Sequence, residues 1–251
     1  MEYKKIIPCL DVKNGKVCKG VGFENIREVG DVTELAKEYE KQGADEITLL
    51  DITATLEDRE TFTEILRKTA SAVNVPIAIG GGIKAIEDFE RLFEAGASKV
   101  SVNSAAVKNP SLVKQASEKF GKEKIIVAID VAKGENGKYT VIINGGTTDT
   151  GKDAIQWAKE VESLGAGEIL LTSQTADGTK NGYDIDITKA IADAVAIPVT
   201  ASGGCGKLED FKEVFEKTNV SSALAASMFH FKETTVGKVK EYLKQNGVAV
   251  R

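Results

Sequence analysis

The sequence predicts an α/β chain closed into a barrel of eight parallel strands, and three observations lead there. Short apolar, β-rich runs recur along 251 residues at about 31 residues per unit, with amphipathic helical segments between them. The runs are continuous rather than alternating, which suits a parallel sheet buried on both faces. The chain also repeats itself once at an offset of about 120 residues, and such repetition decides architecture. Together these point to one (βα)8, or TIM, barrel over 1–251, made of half-barrels at about 1–120 and 121–251. A doubly wound open sheet is the alternative, and the twofold repeat favours closure.

The predicted strands lie at 5–10, 46–51, 76–80, 99–103, 124–130, 168–173, 198–201 and 222–226. Pro8 interrupts the first, since proline cannot donate to a ladder, so a bulge or an unpaired position is expected there. Val32, Leu35, Ala36 and Tyr39 fall at helical spacing, as do Ala154, Trp157, Ala158 and Val161. Asp31 is a candidate N-cap, and Gly43 and Gly96 mark helix ends. Residues 12–30 and 131–150 are the two longest loops, and each carries an Asn-Gly hairpin signal, at Asn14-Gly15 and Asn136-Gly137. Long loops in a compact domain are usually functional.

The repeat pairs Ile6-Ile7-Pro8-Cys9-Leu10-Asp11 with Ile125-Ile126-Val127-Ala128-Ile129-Asp130, Gly43-Ala44-Asp45-Glu46-Ile47 with Gly165-Ala166-Gly167-Glu168-Ile169, and Gly80-Gly81-Gly82 with Ser202-Gly203-Gly204. Asn103-Ser104-Ala105-Ala106 is matched to Leu224-Ala225-Ala226-Ser227, giving offsets of 119, 122, 122 and 121. Composition removes several chemistries. The single histidine, His230, leaves no His-based triad or multi-His metal site. Three cysteines, Cys9, Cys18 and Cys205, lack metal spacing and form no disulfide framework. A net charge of -5 argues against nucleic acid as partner, and no apolar run is long enough to span a bilayer. A short strand-like run follows Met1-Glu2-Tyr3-Lys4-Lys5 without a signal-peptide core, so a soluble cytoplasmic protein is expected.

Acid–base chemistry therefore rests on carboxylates. Asp11 and Asp130 close the first and fifth strands, opposite one another across an eight-stranded barrel, where active sites form. Each could instead cap a loop or take a lysine partner, but two at equivalent places favour catalysis. The glycine turns at Gly81-Gly82 and Gly203-Gly204, with Asn103-Ser104 and Ala226-Ser227, suit two anion sites related by the repeat. Tight strand-to-helix turns also need glycine. A substrate with a phosphate at each end would satisfy both. Lys19 in the first long loop is able to reach the mouth, although a loop lysine is usually solvated. Asp51 and Asp177 either orient substrate or cap loops. His230 is expected packed or on the surface, Cys9 in the core and Cys205 beside a phosphate loop. Lys5, Glu46, Lys99 and Glu168 begin four strands and predict a charge ring at the lower opening, either a salt-bridge cluster or a gate for a small molecule.

The segments IIPCLDVKNGKV (6–17), LLDITAT (49–55), IGGGI (79–83), KVSVNSAAVKNPSL (99–112), GAGEILLTS (165–173), DGTKNGYD (177–184), ASGGCGK (201–207) and LAASMFHF (224–231) resemble the cyclase subunit of imidazole glycerol phosphate synthase, of histidine biosynthesis. The resemblance implies Asp11 and Asp130 as general base and acid, with Lys19 assisting. It implies that Gly81, Gly82, Asn103, Ser104, Thr172, Asp177, Gly178, Gly203, Gly204, Ala226 and Ser227 hold a bisphosphorylated ribonucleotide. It further implies ammonia from a glutaminase partner entering through the Lys5, Glu46, Lys99 and Glu168 ring, with no metal or organic cofactor. The chain departs from the family's pattern at Gly22, Val32, Ser98, Thr147 and Gln174-Thr175-Ala176. Two alternatives stay open: the sister phosphoribosylformimino isomerase of the pathway, and a phosphate-binding barrel with impaired or altered activity.

Overall fold

A computed structural model describes residues 3–21, 24–52, 56–135 and 137–251, with main chain alone at 19–21, 24–27 and 56–61. The first half runs β1 (Lys5–Lys13), β2 (Lys16–Val21), β3 (Glu24–Asp31), α1 (Val32–Lys41), β4 (Ile47–Asp51), α2 (Leu56–Ala70), β5 (Ile77–Gly80), α3 (Ile86–Glu94), β6 (Lys99–Val102), α4 (Ser104–Lys108) and α5 (Ser111–Phe120). After a 3-10 turn at Lys122–Lys124, the second half repeats it: β7 (Ile125–Lys133), β8 (Tyr139–Ile143), β9 (Thr148–Asp153), α6 (Ala154–Ser163), β10 (Glu168–Ser173), α7 (Ile185–Ala194), β11 (Val199–Ser202), α8 (Leu208–Lys217), β12 (Ser222–Ala225), α9 (Ser227–His230) and α10 (Val236–Gln245).

Eight parallel strands close in the order β1-β4-β5-β6-β7-β10-β11-β12, with β12 returning to β1 and β10 pairing β7. The fold is thus a (βα)8 barrel with alternating helices. β1 and β7 continue beyond the rim, each into a three-stranded antiparallel extension with β2–β3 or β8–β9. The first turn, Asn14-Gly15, holds φ of 48° and 79°, the double positive geometry that the Asn-Gly signal anticipates. The third strand of each extension, β3 or β9, carries no signal of its own in the sequence.

Side chains on each barrel strand alternate between two cores. Ile6, Leu10, Ile47, Ile79, Val127, Ile129, Ile169 and Leu171 face the helix layer, whereas Ile7, Cys9, Ala78, Ile126, Leu170 and Leu224 cluster together within the barrel. The helices supply the outer partners: Trp157, Tyr39, Phe89 and Phe211 are among the largest fully buried side chains, each contributing about 1.5–3 kcal/mol or more through burial. Pro8 makes no bulge. It is the last residue of β1 in register with β12, opposite Ala225, and the ladder with β4 starts one residue later at Cys9. At the end of a ladder a missing donor costs least.

Capping obeys the repeat. Asp31 Oδ1 accepts from Thr33 N (2.9 Å) and Glu34 N (3.1 Å), and Asp153 Oδ1 accepts from Ile155 N (3.0 Å) and Gln156 N (2.9 Å). Val32 opens α1 fully buried. Asp88 Oδ2 accepts from Lys84 N and Ala85 N, as Asp210 Oδ2 does from Gly206 N and Lys207 N. At the last element the structure corrects the sequence alignment. α4 and α9 begin at Ser104 and Ser227, an offset of 123, so Asn103 corresponds to Ala226 rather than to Leu224. Both sit at N-caps of similar backbone geometry, φ −121°, ψ −95° and φ −127°, ψ −72°.

Candidate active site

The carboxylates Asp11 and Asp130 lie on β1 and β7, four strands apart in a ring of eight, hence on opposite walls. Each is gripped by main chain on both sides. Asp11 stands in register with Leu50 of β4 and Cys18 of β2; Asp130 stands in register with Thr172 of β10 and Ile142 of β8. Their side-chain neighbours differ. Asn103 Nδ2 donates to Asp130 Oδ2 at 2.9 Å, whereas the sulfur of Cys9 lies 4.0 Å from Asp11 Oδ1. Burial pushes the Asp130 carboxyl up to about 6; the Asn103 amide opposes that rise, and the charge of Asp177 adds to it. A carboxyl in this range holds and releases a proton near neutrality.

The glycine turns follow β5 and β11. Gly81 and Gly82 take φ of 103° and 67°, and Gly203 and Gly204 take 91° and 97°. A Cβ on Gly81 would lie 2.1 Å from the Asp51 carbonyl oxygen, and one on Gly203 would lie 2.8 Å from that of Ser173. Both glycines are thus required by the approach of the neighbouring strand's end. Past them, the short helices α4 and α9 present their first N–H groups at Ser104 and Ser227. Two such clusters sit on opposite sides of the cup, one per half. Thr172 is in register with both Asp130 and Ser202, so it joins the second aspartate to the second glycine turn. Asp177 and Gly178 (φ 76°) form the turn after β10, where Asp177 N donates to Ser173 O at 2.9 Å. Asp51 is buried at the end of β4.

The main chain of Lys19 belongs to β2, in register with Arg27 of β3. Its side chain and Gly22 lie outside the described residues. The other departures from the family pattern are placed. Thr147 Oγ1 donates to Asn144 O (2.9 Å) within the turn between β8 and β9, and Thr175 Oγ1 accepts from Lys133 N (3.3 Å). Ser98 Oγ accepts from Ile77 N (3.3 Å) beneath β6. His230 is packed, its Nδ1 sharing a 2.6 Å hydrogen bond with the Tyr39 hydroxyl. Cys9 is core, and Cys205 follows the second glycine turn, its thiol pushed up to about 12 mainly by burial.

At the lower opening Lys99 Nζ meets Glu46 Oε2 at 2.7 Å and Glu168 Oε2 at 2.6 Å, and the Thr200 hydroxyl donates to Glu168 Oε1 at 2.7 Å. Burial lowers the Lys99 pKa, but Glu168 and Glu46 outweigh it and the ammonium is held charged. Burial and the charge of Glu168 raise Glu46, against the pull of Lys99. Lys5 is exposed and acts on Glu46 at longer range, without an ion pair among the described residues within 4.0 Å.

One network escaped the sequence. The Tyr139 hydroxyl reaches Asp184 Oδ1 and Oδ2 (2.9 and 3.0 Å), and the Ser173 hydroxyl donates to Asp184 Oδ2 (2.9 Å). It fastens the start of β8 to the end of β10 and the start of α7. Contacts between residues 45 apart leave no periodic signal. Among the described residues no group of three or more His, Cys, Asp or Glu side chains forms a metal site, and no helix is long and apolar enough to cross a membrane.

Residues 5–235 match the model of a family described as "Histidine biosynthesis protein". Two curated relatives, each an "Imidazole glycerol phosphate synthase subunit HisF", come from Clostridium botulinum strains Okra and Kyoto. Both are 56% identical over 249 residues, covering 99% of this chain and 98% of the relative. The same subunit of strain Langeland is 55% identical over the same span. With a match across nearly its whole length, the chain belongs to the histidine biosynthesis protein family.

Proposed function

We propose that this protein is the cyclase of imidazole glycerol phosphate synthase. It would use ammonia to convert the phosphoribulosyl-formimino-aminoimidazole carboxamide ribonucleotide into imidazole glycerol phosphate and aminoimidazole carboxamide ribonucleotide. The observation that carries this reading is the placement of two carboxylates on opposite walls, between two glycine-turn clusters, in a chain 56% identical to HisF subunits.

In this reading the two clusters anchor the phosphates, Gly81, Gly82, Asn103 and Ser104 on one side and Gly203, Gly204, Ala226 and Ser227 on the other. Thr172, Asp177 and Gly178 line the wall between. The linker of the substrate then spans the cup within reach of both acids. After ammonia adds, Asp11 withdraws a proton and Asp130 returns one during ring closure, a division supported by the raised pKa of Asp130. Lys19 would steady developing negative charge from the first hairpin. Ammonia adds, the formimino C–N bond breaks to release the carboxamide ribonucleotide, and ring closure on the ketone carbon expels water; these steps involve no redox change and are assisted by proton transfers, so no metal or organic cofactor is invoked. A glutaminase subunit on the N-terminal face of the barrel would deliver ammonia through the Lys5, Glu46, Lys99 and Glu168 opening, in the cytoplasm.

Steady-state turnover with ammonium as nitrogen donor tests the assignment. Asp11→Asn and Asp130→Asn are each expected to lower kcat by about 10²- to 10⁴-fold. Near-normal rates in either variant would sink the acid–base roles, and absence of imidazole product from the unaltered chain would sink the activity.

A further inference from the structure

Inward-facing residues of β10 step upward two at a time. Glu168 joins the lower charge cluster, Leu170 packs with Ile7, Cys9 and Leu224 inside the barrel, and Thr172 stands beside Asp130. The outward set, Ile169 and Leu171, belongs to the helix-facing core, and the Ser173 hydroxyl is spent on Asp184. Gln174 comes next. Its N–H donates to Val131 O at 2.8 Å, the last bond of the ladder, and the chain turns at this point, with Ala176 N and Asp177 N both donating to Ser173 O, so Gln174 stands at the rim directly after the strand end that carries Thr172.

The turn between β8 and β9 meets that side chain from the other edge of β7. Asn144, Gly145 and Gly146 hold φ of 55°, 64° and 93°, and Asn144 N donates to Ser104 Oγ at 2.9 Å, which docks the turn beside the first anion cluster. At its far end, a Cβ on Gly146 would lie 2.6 Å from Gln174 Nε2. Turn and carboxamide therefore bridge from the end of β6 to the end of β10, across the strand that carries Asp130. Gln174 is half-buried, and among the described residues its carboxamide makes no hydrogen bond. A partly exposed amide with open donor and acceptor positions, at the rim where β10 leaves the strand that carries Asp130, is free to bond a bound ligand.

We propose that Gln174 is a substrate-contacting, specificity-determining residue, whose carboxamide bonds an uncharged hydroxyl or amide of the bisphosphorylated substrate between its two phosphates. This rests on the cyclase reading above. Gly146 lacks a side chain so that the carboxamide has room to lie there. Being neutral, the contact adds affinity without adding to the electrostatic grip on the phosphates.

The test compares equilibrium binding of the ribonucleotide substrate to the unaltered protein and to Gln174→Ala and Gln174→Met, each checked for fold by its thermal midpoint. Gln174→Ala and Gln174→Met should both weaken binding about 5- to 10-fold, the value of one hydrogen bond, because methionine keeps the packing but not the bond. The ratio should be the same in low and high salt, unlike the loss expected at a phosphate contact. Substrate affinity in Gln174→Met equal to that of the unaltered protein would overturn the proposal, leaving Gln174 a space-filler. A protein that binds substrate yet forms no product would count against the cyclase activity alone, because the affinity comparison still decides Gln174.

Discussion

The two half-barrels share a skeleton and differ in what they do with it. Asp31 and Asp153 cap corresponding helices, Asp88 and Asp210 tie corresponding loops, and Glu40 Oε1 accepts from Asn74 N and Val75 N as Glu162 Oε1 does from Ala196 N and Ile197 N. These caps and loop ties are thus duplicated. The side-chain surroundings of the two aspartates are not. Asp130 has an amide partner because Asn103 follows β6 as the cap of α4, and Ala226 occupies the matching place beside β1. The second hairpin is fastened to its neighbours through Tyr139 and Asp184, whereas in the first, among the described residues, Lys16 pairs with Glu28 within the hairpin at 3.1 Å and Asp31 lies 4.0 Å from Lys68 of α2. The framework repeats, and the partners of the two aspartates differ.

The largest expected effect probes a place where the halves meet in charge, the buried cluster at the lower opening. Glu46 and Glu168 are repeat partners, but a single lysine serves both. Lys99→Met should destabilise the fold by about 3 kcal/mol at pH 8, because it leaves two buried carboxylates facing one another. Glu46 is already raised with the lysine present and rises further without it. Protonation then relieves the repulsion, so the loss should shrink towards pH 5. Denaturant unfolding at both pH values checks this, and an equal loss at each would contradict the account.

Asp130 supplies the next. Its folded pKa of about 6 lies above the ordinary carboxyl value, so it detracts from stability as pH rises from about 4 through 6. Asp130→Asn should therefore stabilise the fold at pH 8 by on the order of 1–3 kcal/mol while removing activity. Asn103→Ala removes the bond that lowers this pKa, so the alkaline limb of the kcat–pH profile should move to higher pH. An unshifted limb would separate the Asn103 bond from the proton that Asp130 carries.

The smallest effect sharpens the contrast between hairpins. Tyr139→Phe should cost about 1–2 kcal/mol, since a charge-assisted bond is lost, while Lys16→Ala should cost under about 0.5 kcal/mol for an exposed pair. Amide exchange at β8 should quicken only in the first variant. Equal exchange in both would remove the distinction.

The barrel, both aspartates, the glycine turns and the Asp31 cap were legible because period, composition and strand ends encode them locally. The Asn103–Asp130 bond was not, for it depends on how a residue at one strand end leans towards the next. Nor was the Tyr139–Asp184 tie, which joins positions that only the closed sheet brings together. The alignment of α9 slipped by two residues because Ala225-Ala226 offers no side chain to fix the register. Pro8 misled in the other direction, since a ladder's end tolerates what its middle does not.

The mismatch between Asn103 and Ala226 has a geometric consequence. A cup with true twofold symmetry would accept a ligand bearing like groups at both ends in either direction, and half of the bound molecules would lie backwards to the reacting acids. One amide on one wall lifts that degeneracy. In the cyclase reading, Asn103 opposite Ala226 is thus one of the differences, with the two unlike hairpins, that give the cup a direction.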